Sequence, residues 1–89
     1  MPMPERRSDT VLIIDDEPNS LRMLTNALES ADISVLVATS GIAALALRGH
    51  VVPDLILMDA VMPGMDGFET TVQIKKSASL AHIPVIFMT

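Results

Sequence analysis

Four short apolar runs, Val11 to Ile14, Ile33 to Val37, Leu55 to Met58 and Val85 to Met88, constrain this chain more than any other feature. Each is too short for a buried helix and most lack polar alternation, so they predict strands covered on both faces. The intervening segments carry a different period. Asn19 to Ser30 repeats Leu21, Leu24 and Leu28 at helical spacing behind Pro18, a residue suited to the first helical turn. Ser40 can cap a second, Ala-rich helix from Gly41 to Leu47, closed by Arg48 as a basic last turn and Gly49 as a stop. A third begins at Asp66 with Glu69 as its capping-box partner. It presents Phe68, Val72 and Ile74 before Lys75 and Lys76 complement the dipole at its C-terminus. Strands and helices therefore alternate strictly. That order predicts right-handed βαβ crossovers and an α/β fold, a doubly wound parallel sheet with helices on both faces.

In open parallel sheets of this kind, ligands bind beyond the carboxyl ends of the strands, where the winding direction reverses. Asp15 and Asp16 follow the first strand directly, and Asp59 follows the third. If those strands are neighbours, three carboxylates converge in one crevice. At separations of about 5 Å each pair repels by roughly 1 to 3 kcal/mol, which a cation relieves. An all-oxygen site with few protein ligands suits Mg²⁺ better than Zn²⁺ or an all-protein Ca²⁺ cage. Mg²⁺ beside a free carboxylate in turn points to phosphoryl chemistry through an aspartyl phosphate.

The other candidates read as structure. Asp66 is an ordinary helix cap, and Asp16 taken alone could be one. Glu17 could cap, hold a metal through water, or face solvent. His50 and His82 both follow helices and precede strands, which places them at the amino end of the sheet, about 15 Å or more from the acids. Lys75 and Lys76 end a helix that carries them about 15 Å from Asp59, and they are read as solvated. Gly64 and Gly67 read as turn chemistry. The seven methionines fill core gaps or mark loops.

Composition removes several other functions. A formal charge of -5 argues against direct nucleic-acid binding. The absence of cysteine removes disulfides, thiolate metal sites and thiol nucleophiles. No stretch approaches the roughly 20 apolar residues that span a bilayer. Residues 1–9 carry Arg6 and Arg7 without an apolar run behind them, and read as a flexible N-terminal tail rather than a signal peptide. Residues 10–89 then make one domain, expected in the cytoplasm.

With those residues in place, the sequence resembles the response-regulator receiver family of two-component signalling over its length after the tail. Val11-Leu-Ile-Ile-Asp-Asp-Glu17 resembles the family's first strand and its acidic pair; Leu55-Ile-Leu-Met-Asp59 resembles the strand ending in the phosphoacceptor; Met62-Pro-Gly-Met-Asp-Gly67 resembles the loop into the third helix. The resemblance implies a flavodoxin-like receiver fold. It implies that Asp15, Asp16, Asp59 and the backbone carbonyl of Val61 hold Mg²⁺, and that Asp59 accepts a phosphoryl group from a sensor histidine kinase or phosphotransfer protein. Thr89 matches the family's phosphoryl-sensing hydroxyl. Receiver domains continue through a further helix, a fifth strand bearing a lysine ligand of the phosphoryl group, and a last helix. Relative to that pattern the chain is expected to be C-terminally truncated, with an open apolar edge on its fourth strand that self-association or element exchange would cover.

Two functional classes compete with a phosphoacceptor switch, which is not a conventional enzyme. One is an interaction or dimerisation module that does not take up phosphate. The other is a phosphotransferase or phosphatase with an aspartyl nucleophile; such enzymes commonly place a second acid two residues on, where this chain has Val61. A nucleotide-binding domain is disfavoured by the lack of G-x-G-x-x-G and P-loop motifs.

Overall fold

The structure is a computed structural model and describes residues 9–88. Strands β1 (Thr10–Ile14), β2 (Ser34–Ala38), β3 (Leu55–Asp59) and β4 (Val85–Met88) alternate with helices α1 (Pro18–Ser30), α2 (Gly41–Ala46) and α3 (Gly67–Lys76). All four strands pair in parallel, in the order β2-β1-β3-β4. The chain thus winds outward one way from β1 to β2 and the other way through β3 to β4. The point of reversal lies between β1 and β3, where Ile14 is in register with Met58.

The alternating α/β architecture agrees with the sequence expectation, and its caps follow from local chemistry. Pro18 occupies the first helical turn of α1, and Glu17 is the cap, its carboxylate accepting from the Ser20 N–H at 2.8 Å. Ser40 and Asp66 cap α2 and α3 through the N–H groups of Ala43 and Glu69. Ser34 to Ala38 is one residue later than the run that predicted β2.

Burial departs from the reading of four doubly covered strands. Only β1 is buried along nearly its whole length. The main core lies on the α2 and α3 side of the sheet, where Leu12, Ile14, Ile56 and Met58 pack with Ala44, Ile74, Leu80 and Ile83. Val11 and Ile13 of β1 are buried as well, and α1 packs against β2 but buries none of its own residues completely. On β4, Ile86 is 52% exposed and Phe87 38% exposed. Among the described residues, β4 has no strand on its outer side.

The apolar face expected for α3 is also corrected. Phe68 and Val72 are exposed, whereas Gly67, Thr70 and Ile74 are buried against the rest of the fold. The phenyl ring of Phe68 instead meets that of Phe87, with centroids 4.8 Å apart and planes tilted by 35°. Lys75 is not merely solvated either. Its ammonium donates to the carbonyls of Ala81 and Ile83, at 3.1 and 2.8 Å, and ties the end of α3 to the chain that leads into β4. Among the described residues, no helix is long and apolar enough to cross a membrane.

Candidate functional site

Asp15 immediately follows β1, and Asp59 is the last residue of β3, so the pairing of these two strands delivers both side chains to the same end of the sheet. Asp16 joins them. One carboxylate oxygen from each of the three lies within 4.8 Å of the other two. The cluster is graded in exposure: Asp15 is buried, Asp59 half-buried and Asp16 exposed.

Local backbone contacts aim two of the acids. Asp15 Oδ1 accepts the N–H of Glu17 at 2.9 Å, and Asp59 Oδ1 accepts the N–H of Val61 at 3.1 Å. Each carboxylate therefore keeps one oxygen outside its turn. The cluster opens on a cleft of about 390 Å³ between α1 and the ends of β3 and β4. Asp15, Asp59 and Glu17 line its polar part, and Met23, Leu24 and Met88 its apolar part.

Burial is the main influence that raises the Asp15 pKa above the usual carboxylate value. The hydrogen bond from Glu17 opposes this, while the charges of Asp59 and Asp16, and a side-chain hydrogen bond with Asp59, add to it. The Glu17 carboxyl is shifted the other way, chiefly by the Ser20 and Asn19 N–H groups at the start of α1.

A buried acid with a raised pKa binds more protons folded than unfolded. Its contribution to stability is thus present below the unfolded pKa and lost as pH rises through the folded one. Asp15→Asn removes that loss and preserves an oxygen for the Glu17 N–H. Without metal, the variant is expected to be more stable than the parent above the acid range, because no buried charge is left there to desolvate and the repulsion from Asp59 and Asp16 is gone. The difference should shrink as pH falls below the ordinary carboxylate pKa. Thermal unfolding of both chains across that range is the check, and an equal or lower midpoint for the variant above it would count against the electrostatic account.

The donor set fits a hard divalent cation. It offers carboxylate oxygens alone, has no sulfur or imidazole, and leaves open solvent on the Asp16 side for retained waters. Val61 has a side chain 81% exposed, so its part in the turn is through the backbone. Thr89 lies outside the described residues, as do residues 1–8 of the expected tail. His50 and His82 are exposed and belong to the segments leading into β3 and β4, at the sheet's other end. The reading of Asp66 as a cap agrees with its bond to Glu69.

Sequence reasoning left the role of Glu17 open, although its place before a proline at the first helical position is the signal of a cap. It also took Gly67 for turn chemistry. Gly67 is the first residue of α3, packed against the end of β3.

Residues 11–89 match the family model described as the response regulator receiver domain. PilH of Pseudomonas aeruginosa is 44% identical over 79 residues, an alignment covering 89% of this chain and 65% of PilH. The N-terminal domain of a response regulator receiver protein from Methanoculleus marisnigri superposes with a TM-score of 0.86 at 35% identity, covering 90% of this chain and 65% of that one. The receiver domain of the sensor histidine kinase PA1611 from Pseudomonas aeruginosa gives a TM-score of 0.87 at 26% identity, over 93% of this chain and 68% of its own; it was solved with a magnesium ion coordinated in its active site cleft.

Proposed function

The chain belongs to the response regulator receiver domain family, and from that premise we propose that it accepts a phosphoryl group on Asp59 with the help of Mg²⁺. Receiver domains are signalling modules of two-component systems and not conventional enzymes. The observation that carries the proposal is the convergence of the Asp15, Asp16 and Asp59 carboxylates within 4.8 Å at the switch point of the sheet.

Asp15, Asp16 and Asp59, together with the Val61 carbonyl, are the groups that would hold the cation. When bound, Mg²⁺ would supply positive charge against the phosphoryl oxygens and offset the mutual repulsion of the acids. Asp59 supplies the nucleophile through the carboxylate oxygen that the Val61 N–H leaves free. A P–O bond forms at that oxygen as the bond from phosphorus to the donor breaks. The electron pair leaves on acetate when acetyl phosphate is the donor, or on the imidazole nitrogen of a phosphohistidine, which then takes up a proton. A sensor histidine kinase or phosphotransfer protein is the partner this chemistry requires. Thr89 follows Met88, the register partner of Asp59, and is assigned the hydroxyl that senses the phosphoryl group.

Intact-mass measurement after incubation with acetyl phosphate and Mg²⁺ tests this reading. One phosphoryl adduct, mapped to Asp59 and removed by hydroxylamine, is expected. Absence of an adduct from a folded chain that binds Mg²⁺ would overturn phosphoryl acceptance and favour the second reading, an interaction or dimerisation module. A specific feature supports that alternative. The outer side of β4 is unpaired among the described residues, and Phe68, Val72, Ile86 and Phe87 expose apolar surface beside it. Light scattering across a dilution series should then show self-association.

A further inference from the structure

The start of α3 and the end of β3 approach each other with no room for a side chain between them. A Cβ placed on Gly67 would run into the carbonyl oxygen of Asp59 and stand 2.8 Å from Ala60 Cα and 3.1 Å from the Asp59 carbonyl carbon. All three are backbone atoms, so no rotamer change relieves the overlap. The Gly67 N–H also donates to the Ala60 carbonyl at 3.2 Å. On the helix side, the Asp66 side chain binds the Glu69 N–H, and the Thr70 hydroxyl binds the Asp66 carbonyl at 2.7 Å. Both bonds lie within the first turn of α3 and fix its local shape. On the strand side, the Asp59–Ala60–Val61 backbone is linked to the Asp59 carboxylate through the Val61 N–H.

We propose that Gly67 is a positioning residue of the acid site: by admitting α3 against the Asp59–Ala60 peptide, it sets where the Asp59 carboxylate and the Val61 carbonyl stand relative to Asp15 and Asp16. The inference rests on the reading of that cluster as a Mg²⁺ site. A β-carbon at position 67 pushes the peptide from behind. Displacement there moves two of the cation's four proposed protein ligands together and leaves the two after β1 in place.

Gly41 provides a control. A Cβ there would strike the Thr70 hydroxyl and crowd Met65, which costs packing without touching the peptide that follows Asp59. Calorimetric Mg²⁺ titration of the parent chain, Gly67→Ala and Gly41→Ala tests the proposal, in a stabilising osmolyte that keeps all three folded. Circular dichroism monitors folding, and the amide resonance of Val61 reports on the turn. For Gly67→Ala, a rise in the Mg²⁺ dissociation constant of about 10-fold or more is expected, the range seen when groups supporting metal ligands are altered. Its Val61 resonance should shift before any metal is added. Gly41→Ala should lose thermal stability and keep the parent's Mg²⁺ affinity.

Parental affinity in folded Gly67→Ala would overturn the positioning role, as would equal weakening in both variants. A parent chain that does not bind Mg²⁺ would overturn the metal reading and this inference with it. Those results are distinguishable because the first two require a parent that binds.

Discussion

Asp59→Asn is expected to abolish phosphoryl uptake from acetyl phosphate while leaving a folded chain. The amide has no anionic oxygen to attack phosphorus, and an acyl phosphate cannot form on it without losing nitrogen. The turn after β3 survives, because the asparagine oxygen can still accept the Val61 N–H that Asp59 Oδ1 accepts at 3.1 Å. Removing one of three clustered charges also relieves repulsion, by about 1 kcal/mol per screened pair. The metal-free variant should therefore unfold at or above the parent's midpoint. Intact mass and thermal unfolding measured on the same samples separate loss of chemistry from loss of fold. An adduct of undiminished yield on the variant would remove Asp59 from its assigned role.

Ile56→Ala carries the largest expected effect on stability. Ile56 is fully excluded from solvent in β3, in register with Leu12 on one side and Val85 on the other. It belongs to the core cluster with Met58, Ala44 and Ile74. Truncation there loses burial and leaves a cavity that two fixed neighbouring strands resist closing, at a cost of about 2 to 5 kcal/mol. A domain of this size is stable by roughly 4 to 13 kcal/mol, so much of the margin disappears. Val72→Ala is the contrast, since Val72 is 53% exposed; its effect should stay within about 0.5 kcal/mol. Denaturant midpoints for the two variants measure both, and similar losses would place Val72 in a core that the structure does not give it.

The elements themselves were legible because their signals are local. Short apolar runs, a proline in the first turn of α1, and Ser40 and Asp66 at helix starts act through neighbours a few residues away. The acid cluster was legible in part. That Asp15, Asp16 and Asp59 stand at strand ends can be read from the runs before them. Their convergence needs β1 beside β3, a long-range pairing that no local pattern encodes.

Where the reading failed, contacts distant in sequence decided the outcome. Phe68 and Val72 have the spacing of a core face, yet the close seating of Gly67 against β3 turns Gly67, Thr70 and Ile74 inward instead. Helical periodicity identifies candidate faces but does not choose which one meets the sheet. Lys75 looked solvated by its position in the last turn; only the return of the chain past Ala81 and Ile83 presents it with two carbonyls. Four apolar runs predicted full cover, while the place of a strand in the sheet determines how much it receives: among the described residues, β1 lies inside and β4 at the edge.

The sequence by itself determined the alternation of strands and helices, the caps of α2 and α3, and the acids that end two of the strands, because each depends on backbone preference and bonds within a turn or two. The tertiary structure alone decided the strand order, the buried face of α3, and the backbone contact between Gly67 and Asp59. Those depend on which surfaces exclude water together and how closely two backbones can approach.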